Sequence, residues 1–446
     1  MKARKRPYVS DWLQDVPEEW PVPLLRLVTR VESGHTPSRG AAEYWVPDEC
    51  TIPWFSLADI WQLREGRQKF LGETKECISP SGIANSSARI LPPGTVVLSR
   101  TASVGFSGLM PRPMATTQDF VNFVCGDKLV PDFLLWVLRG MKPEFERLSM
   151  GSTHMTIYMP DLLQFRVPLP PVPRQHAIAN FLDRKTAALD VLLEKKERII
   201  ALLAEKRAAV IHRAVTKGLN PDAPKKASGI AWIGEIPAHW ACAPLYSRYE
   251  TQLGKMLDTQ RIVGGELRPY VRNADIQWSG VNIANLHQMD FSPAERMRYR
   301  LRPGDLLVCE GGANEKIVGR SAIWIGRLDE CYFQKALHRV RPTLQGENPQ
   351  FLLYALRAAV SLGVFVAGAN PNTVFHLTGE KLRAHRFAFP PANEQNDIVR
   401  EVENELKNLE TLDGHVRQQL DRLREYRQAL ITAAVTGQLD IGEPSK

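Results

Sequence analysis

One short stretch has residue types that could hold a phosphate, namely the glycines and the lysine of residues 311–316 (GGANEK). A common nucleotide cradle needs G-x-x-x-x-G-K followed by Ser or Thr, because backbone N–H groups and the lysine bind the phosphates together. The spacing here differs, and no hydroxyl residue follows the lysine. We therefore interpret this stretch as a tight turn between strands.

Other catalytic patterns are also missing. The Pro-Pro pairs at 170–171 and 390–391 lack the aromatic residue that follows them in enzymes that methylate a base amine. The six cysteines are scattered without a Cys-x-x-Cys pair, which argues against zinc and favours free, buried thiols in a reducing cytoplasm. We interpret His154 and His376 as structural or surface residues. The sequence thus predicts no catalytic residue and no metal site, and a chain that binds without catalysing.

Charge and length are consistent with a large binding protein. The chain has 446 residues, a formal charge of +8 and a pI near 9.1, which suits a polyanionic partner without requiring one. A chain of this length is expected to contain two or three domains, and a hydrophobic content of 44% is enough for their cores. No run of eighteen apolar residues occurs, so we expect no membrane segment and a cytoplasmic location.

Two long helices are predicted, and they must position the residues that bind a partner. Residues 174–216 contain neither glycine nor proline, and their apolar residues recur in steps of seven. Such a repeat predicts a coiled-coil seam. Adding 220 to these numbers reproduces the repeat near the carboxyl end. The predicted seam comprises Leu182, Leu189, Leu192, Ile199, Leu203 and Val210 in the first helix and Val402, Leu409, Val416, Leu423 and Leu430 in the second.

The same offset of about 220 relates other landmarks, including Trp12 with Trp232, Trp20 with Trp240, and Gln175 with Gln395. Between the helices lie short apolar, β-branched and aromatic runs separated by turn residues, which are typical of strands. One unit has been used twice. The fold class is therefore α+β, with two pseudo-symmetric mixed α/β domains joined by the two long helices. The predicted boundaries are 1–172, 173–218, 219–392, 393–437 and a tail at 438–446.

Several short motifs in this order resemble the specificity subunit of type I restriction-modification enzymes. W-x-x-x-x-P-x-x-W precedes each domain, and Pro-Pro-x-x-x-Gln opens each helix. The resemblance is also carried by residues 12–20 (WLQDVPEEW), 52–55 (IPWF), 115–118 (ATTQ) and 273–276 (NADI), and by the Arg-Gln and Glu-Gln pairs at 174–175 and 394–395. It covers almost the entire chain.

The resemblance implies two target recognition domains, each reading one half of a split double-stranded DNA sequence. The two helices would pack antiparallel as a ruler between the halves. They would also dock two modification subunits, which carry S-adenosylmethionine and flip an adenine, and restriction subunits that use ATP and Mg²⁺. No cofactor is expected in this chain.

Base reading calls for Arg, Lys, Asn, Gln, Ser and Thr on loops. The predicted DNA contacts are Arg39, Arg100, Thr101, Ser103 and Gln118 in the first domain and Arg272, Asn273, Asn314, Lys316, Arg320 and Gln334 in the second. We place Trp54, Phe55 and Trp278 in cores rather than against bases.

Two other interpretations remain open from the sequence. A non-catalytic coiled-coil scaffold or adaptor with tandem protein-binding domains would have the same helices. An enzyme with an unrecognised active site is disfavoured by the missing motifs. Within the helices, Lys196 and Asp413 interrupt the seam, where they would either specify register or face solvent.

Overall fold

The structure, a computed structural model, describes residues 10–148, 156–257, 266–312, 317–367 and 376–442. It divides into a first unit, residues 1–198 with 417–446, and a second unit, residues 199–416. The predicted boundaries gave each long helix a domain of its own, whereas this division assigns part of each helix to each unit. No helix in the described ranges is both long and apolar enough to span a membrane.

The first unit is built on a four-stranded antiparallel sheet in the order β1-β7-β4-β5. A smaller sheet, β3-β2-β6, pairs β2 and β6 in parallel. The strands are β1 (Thr29–Ser33), β2 (Ile52–Phe55), β3 (Glu76–Ile78), β4 (Val96–Ser99), β5 (Ser107–Leu109), β6 (Ala115–Thr116) and β7 (Phe120–Cys125). The α-helices up to residue 217 are α1 (Pro80–Ala84), α2 (Pro131–Gly140), α3 (Lys142–Leu148), α4 (Met159–Leu162) and α5 (Val172–Lys217).

The second unit repeats this topology. Its main sheet has the order β11-β19-β16-β17, and a smaller sheet, β15-β12-β18, again contains one parallel pair. The strands are β8 (Lys225–Ala227), β9 (Glu235–Pro237), β10 (Ala241–Pro244), β11 (Tyr249–Leu253), β12 (Leu267–Val271), β13 (Ile276–Gln277), β14 (Gly280–Val281), β15 (His287–Asp290), β16 (Leu306–Cys309), β17 (Ser321–Ile323), β18 (Tyr332–Phe333), β19 (Leu337–Pro342) and β20 (Arg386–Phe389). The helices are α6 (Pro293–Tyr299), α7 (Pro349–Ser361), α8 (Gly379–Ala384) and α9 (Ala392–Val435).

Each core uses the start of one long helix and the end of the other. In the first unit, Ile178 and Leu182 of α5 pack in one cluster with Ile431 and Val435 of α9. The second unit packs Ile398 and Val402 of α9 in one cluster with Ile211 and Val215 of α5. Within the first unit the pairing is antiparallel, since Asp190 contacts Arg427 and Glu197 contacts Arg424. The predicted mixed fold with two long helices is confirmed.

The seam follows the predicted steps of seven residues. Within each step, however, the second seam residue lies four residues after the first, as Leu193 does after Leu189, and not three. Leu193 is buried, whereas Leu192 and Ile199 are 39% and 36% exposed, which corrects the prediction at both positions. Lys196 is half-buried and donates to Gln419 Oε1 over 2.7 Å. Of the other predicted seam residues, Leu182, Leu203, Val402, Leu409, Val416 and Leu430 are buried, and Leu189, Val210 and Leu423 are half-buried.

The repeated tryptophan motif closes the end of each long helix. Gly437 follows α9 at φ +75°, and a Cβ there would lie 2.9 Å from the Trp20 ring. Gly218 follows α5 at φ +68°, beside the Trp240 ring. Trp240 Nε1 also donates to Glu394 Oε1 in the first turn of α9. The motif therefore holds a helix end against the sheet domain of its own unit.

The repeated glutamines are fully buried anchors. Gln175 Oε1 accepts from the Val130 N–H over 2.8 Å, and Gln175 Nε2 donates to the Lys128 and Pro170 carbonyls. Gln395 does the same for the Asn348 N–H and the Pro390 carbonyl. Each glutamine thus fixes the segment before α2 or α7 to the start of a long helix.

The six cysteines are free thiols. Cys309 and Cys331 are buried, and burial raises the pKa of both thiols to about 12. The other four are half-buried, so the prediction of buried thiols is correct for two of the six. Trp54 and Phe55 lie in cores as predicted.

Candidate nucleic-acid interface

Four of the predicted contacts in the first unit lie together where β4 and β6 end. Arg100 Nε donates to the Gln118 carbonyl over 3.1 Å, and the Arg100 N–H donates to the Asp119 carbonyl. The next residues form a tight turn, in which Ser103 N–H donates to the Thr101 carbonyl around Ala102 at φ +59°. The Gln118 side chain is exposed. This arrangement places two long polar side chains and two hydroxyls on neighbouring segments, one that follows β4 and one that connects β6 to β7.

Thr36 joins this group although the sequence did not single it out. Its hydroxyl donates to Gln118 Oε1 over 2.5 Å, which leaves the amide NH₂ of Gln118 as the outward donor. Arg39 has other partners. Its guanidinium lies 4.0 Å from the Trp45 ring centroid and pairs with Glu76 at 2.5 Å. Arg39 is therefore a stacked, ion-paired residue rather than a member of the Arg100 and Gln118 group.

In the second unit the predicted residues are held by internal bonds. Arg272 pairs with Asp275 at 3.0 Å and contacts His287 Nε2 at 2.6 Å. The Asn273 carbonyl accepts from Arg320 Nη2 over 3.2 Å, and Asn273 Nδ2 donates to the Gly311 carbonyl. These three residues come together, but much of their hydrogen-bonding capacity is used within the domain. Asn314 and Lys316 lie outside the described residues.

Gln334 lies at the position that matches Thr117, beside the end of β11. Its N–H donates to the Val271 carbonyl over 3.1 Å, and it forms a bridge with Lys255. Lys255 is buried and pairs with Glu295 at 2.8 Å, so it belongs to the core of the domain. Gln334 itself is half-buried.

Two glycines bring these segments into contact. A Cβ on Gly34 would lie 2.1 Å from the Thr117 carbonyl oxygen, and one on Gly254 would lie 2.2 Å from the Gln334 carbonyl oxygen. Only glycine lets the backbone approach this closely. The two glycines are 220 residues apart, and this spacing was the signal that could have identified them from the sequence.

A second missed feature is that the tripeptide Ala-Asp-Ile of residues 274–276 also occurs in the first unit, at residues 58–60. Asp59 accepts from the Ser56 and Lys75 N–H groups, and Asp275 accepts from the Arg272 N–H. Both carboxylates are buried and hold the turn that follows β2 or β12. Within the described ranges, no three His, Cys, Asp or Glu residues come together as possible metal ligands.

A family model and the sequences of known proteins both show similarity to type I restriction specificity subunits. Residues 17–201 match the model of the type I restriction modification DNA specificity domain. The EcoKI specificity subunit of Escherichia coli K12 is 22% identical over 439 residues, covering 95% of this chain and 90% of that subunit. The MjaIX specificity subunit of Methanocaldococcus jannaschii is 28% identical over 185 residues, covering 41% of this chain and 40% of that subunit.

Solved structures share the fold. A chain from a structure of a type I R-M system aligns with a TM-score of 0.66 at 18% identity, covering 95% of this chain and 99% of its own length. The HsdS subunit of Thermoanaerobacter tengcongensis aligns with a TM-score of 0.53 at 16% identity, with 95% and 98% coverage.

Proposed function

Residues 17–201 match the model of the type I restriction modification DNA specificity domain, and from this premise we propose that the chain is the DNA-reading subunit of a type I restriction-modification enzyme. The target is a split sequence in double-stranded DNA. The first unit reads one half and the second unit reads the other. The chain acts in the cytoplasm and is not itself an enzyme.

One observation carries this proposal: a single scaffold is used twice, but it presents different side chains at equivalent places. β4 and β16 occupy the same position in their sheets. Arg100 and Thr101 follow β4, whereas Glu310 and Gly311 follow β16. Thr101 and Gly311 each pair with the segment before α4 or α8. Two copies that differ at the same rim are expected if each reads a different half-site.

The long helices suit a target that is split into two half-sites at a fixed spacing. α5 has 46 residues and α9 has 44, and neither is interrupted. At 1.5 Å per residue, such a helix is about 65–70 Å long. We propose that the pair sets the spacing between half-sites, since DNA reading needs a fixed rise and rotation along the duplex.

Catalysis belongs to partner subunits in this proposal. Two modification subunits would bind S-adenosylmethionine and methylate adenine, and restriction subunits would use ATP and Mg²⁺. The residues that read bases are Arg100, Thr101, Ser103 and Gln118 in the first unit, and Gln334 and Arg272 in the second. Asn314 and Lys316 are also proposed to read bases, on the basis of the sequence alone.

The test is methylation mapping by single-molecule sequencing in a host that expresses this chain with its modification subunit. We expect methylated adenine in two defined half-sites separated by a fixed number of unspecified bases. Gln118→Ala should relax the sequence of one half-site and leave the other unchanged. Gln164→Ala, an exposed glutamine elsewhere in the first unit, is the matched control. A soluble complex that methylates no split motif and does not bind DNA would favour the protein-binding scaffold instead.

A further inference from the structure

Residues 63–70 of the first unit, here called the anchor loop, connect the sheet domain to both long helices. Arg67 pairs with Glu197 of α5 at 3.1 Å, and Lys69 pairs with Asp183 of α5 at 2.6 Å. The Gly66 carbonyl accepts from Arg427 Nη2 of α9 over 2.8 Å. Eight consecutive residues thus contact α5 twice and α9 once.

Arg427 is the centre of this junction. Besides Gly66 it binds Asp190 of α5, with Nε 2.9 Å from Oδ1 and Nη2 3.3 Å from Oδ2. The side chains of Arg427 and Asp190 are only 13% and 17% exposed. A bidentate pair of this kind fixes direction as well as distance. One guanidinium therefore joins both helices and the anchor loop.

Arg139 of α2 extends the junction to the main sheet. Its Nη2 donates to the Gln68 carbonyl of the anchor loop over 2.6 Å. Burial, and then the nearby charge of Arg427, lower the pKa of Arg139 to about 10, while Asp183 and Asp190 act in the opposite direction. The carboxylates of α5 therefore balance a cationic cluster that belongs to the sheet domain and α9.

The second unit folds without this device. Its counterpart, residues 279–286, follows the same Ala-Asp-Ile tripeptide but has no charged residue. The hydrogen bonds of the described residues 277–286 remain within the hairpin and its preceding turn. A cavity of about 320 Å³ lies beside this segment, lined by residues that include Trp278, Trp324 and Leu353.

The arginine pair itself is retained in the second unit. Arg357 matches Arg139, and Arg207 matches Arg427. Burial lowers the pKa of Arg357, and the charge of Arg207 contributes in the same direction. Because the same scaffold forms with an uncharged segment at this place, the anchor loop contacts are an addition to the first unit and not a requirement of the fold.

We propose that the anchor loop and Arg427 are a positioning device, which holds the first recognition domain at one setting on its helices and so restricts the enzyme to one spacing between half-sites. This inference rests on the proposed function. A spacer longer by one base pair displaces a half-site by about 3.4 Å along the duplex. A domain free to shift on its helices would accept that displacement, and a domain held by ion pairs on two helices would not.

The experiment uses the complex of this chain with its modification subunit and duplexes that carry both mapped half-sites. The spacer has the native length or is one base pair shorter or longer, and the initial rate of methylation is measured on each. The first variant is Arg67→Gln with Lys69→Gln, which removes the two loop cations that pair with α5. The second is Arg427→Lys, which keeps the charge and loses the bidentate geometry. Lys142→Gln with Glu146→Gln, an exposed pair on α3, is the control.

We expect the rate on off-length spacers, relative to the native spacer, to rise about fivefold in both variants and to stay unchanged in the control. Raising the salt concentration should move the wild-type ratio in the same direction, because salt screens partly exposed ion pairs. An unchanged ratio in active variants, or an equal loss of rate on every spacer, would overturn the positioning role. A wild-type complex with no split methylated motif would overturn the proposed function itself. If the double variant does not fold, Arg427→Lys decides.

Discussion

At Gly34 and Gly254 the backbone itself limits what can change near the candidate DNA-reading residues. Gly34 directly follows β1 and lies against the carbonyl of Thr117, the residue before Gln118. Gly254 directly follows β11 and lies against the carbonyl of Gln334. The carbonyl oxygens of Thr117 and Gln334 are rigid backbone atoms and cannot move aside as a side chain would. Any Cβ here must displace the reading segment.

Gly34→Ala should therefore affect both stability and DNA binding. The new methyl carbon would lie 2.1 Å from the Thr117 oxygen, so the segment with Gln118 must shift. We expect a loss of about 1–3 kcal/mol of unfolding free energy and relaxed reading of one half-site. Urea unfolding and methylation mapping measure the two effects. Gly40→Ala is the matched control, because a Cβ there meets only Ser38 Oγ at 3.8 Å. Equal stability of the two variants would contradict the prediction.

At this scale the sequence could group residues that lie at strand ends, and their contact with DNA stays a prediction. Arg100, Thr101 and Ser103 lie near Gln118 because they follow β4, whereas Gln118 precedes β7, the strand that pairs with β4. The sequence could not indicate the partners of Arg39, whose stacking on Trp45 and pairing with Glu76 depend on long-range packing. The hydrogen bonds of Asn273 with Gly311 and Arg320 are equally long-range. Spacing along the chain contains no information about such partners.

The long helices show how far periodicity can be trusted. Steps of seven residues located the stripe, and the structure buries most of the predicted positions. The sequence could not choose between three and four residues for the second position. Leu192 and Leu193 are neighbouring leucines, and Ile199 and Ile200 are neighbouring isoleucines. Residue type is the same at both candidate positions, and only the side on which the other helix packs decides which one is buried.

Gly414 offers a direct test of the continuity of α9. It lies within the helix and is exposed, and a Cβ there would have no heavy atom within 4 Å. Gly414→Ala should raise the unfolding free energy by about 0.5–1 kcal/mol, because alanine loses less backbone entropy in a helix. Calorimetry or urea unfolding measures the gain. A variant that is less stable than the wild type would mean that α9 is not a regular helix at this position.

At the scale of the whole molecule, the second unit contains two histidines whose pKa is lowered by burial. His338 of the second unit is buried, and its Nε2 lies 3.0 Å from the Leu377 carbonyl. Burial lowers the pKa of His338 and also that of His385 in the same unit. Both histidines are therefore neutral in the folded unit at a pH where the unfolded chain takes up protons.

Acid should consequently unfold the second unit first. Above the ordinary histidine pKa of 6.5 neither state binds the proton, and stability is unaffected. Below it the unfolded state binds more protons, so stability falls by at most about 1.4 kcal/mol per pH unit for each histidine. Hydrogen exchange at pH 7.5 and 5.5 should show protection lost in residues 199–416 before the other unit. His338→Gln should reduce this pH dependence. Earlier loss of protection in the first unit would contradict the assignment.

The tandem organisation itself was readable from the sequence, because an offset of 220 aligned motifs over the entire chain. What the motifs do was not readable. Trp20 and Trp240 pack at helix ends, and Gln175 and Gln395 bind backbone groups about 47 residues away. These contacts join parts of the chain that no local pattern connects.

The composition of the first unit also bears on how the chain is made. Its core includes Leu430, Ile431, Ala434 and Val435, which are synthesised after the entire second unit. Since domains generally fold as they leave the ribosome, residues 1–198 must wait with an open core while residues 199–416 emerge and fold. A chain that stops early, near residue 416, would keep a complete second unit and expose the apolar surface of the first. Such exposed apolar surface makes a chain prone to aggregation and a target for chaperones.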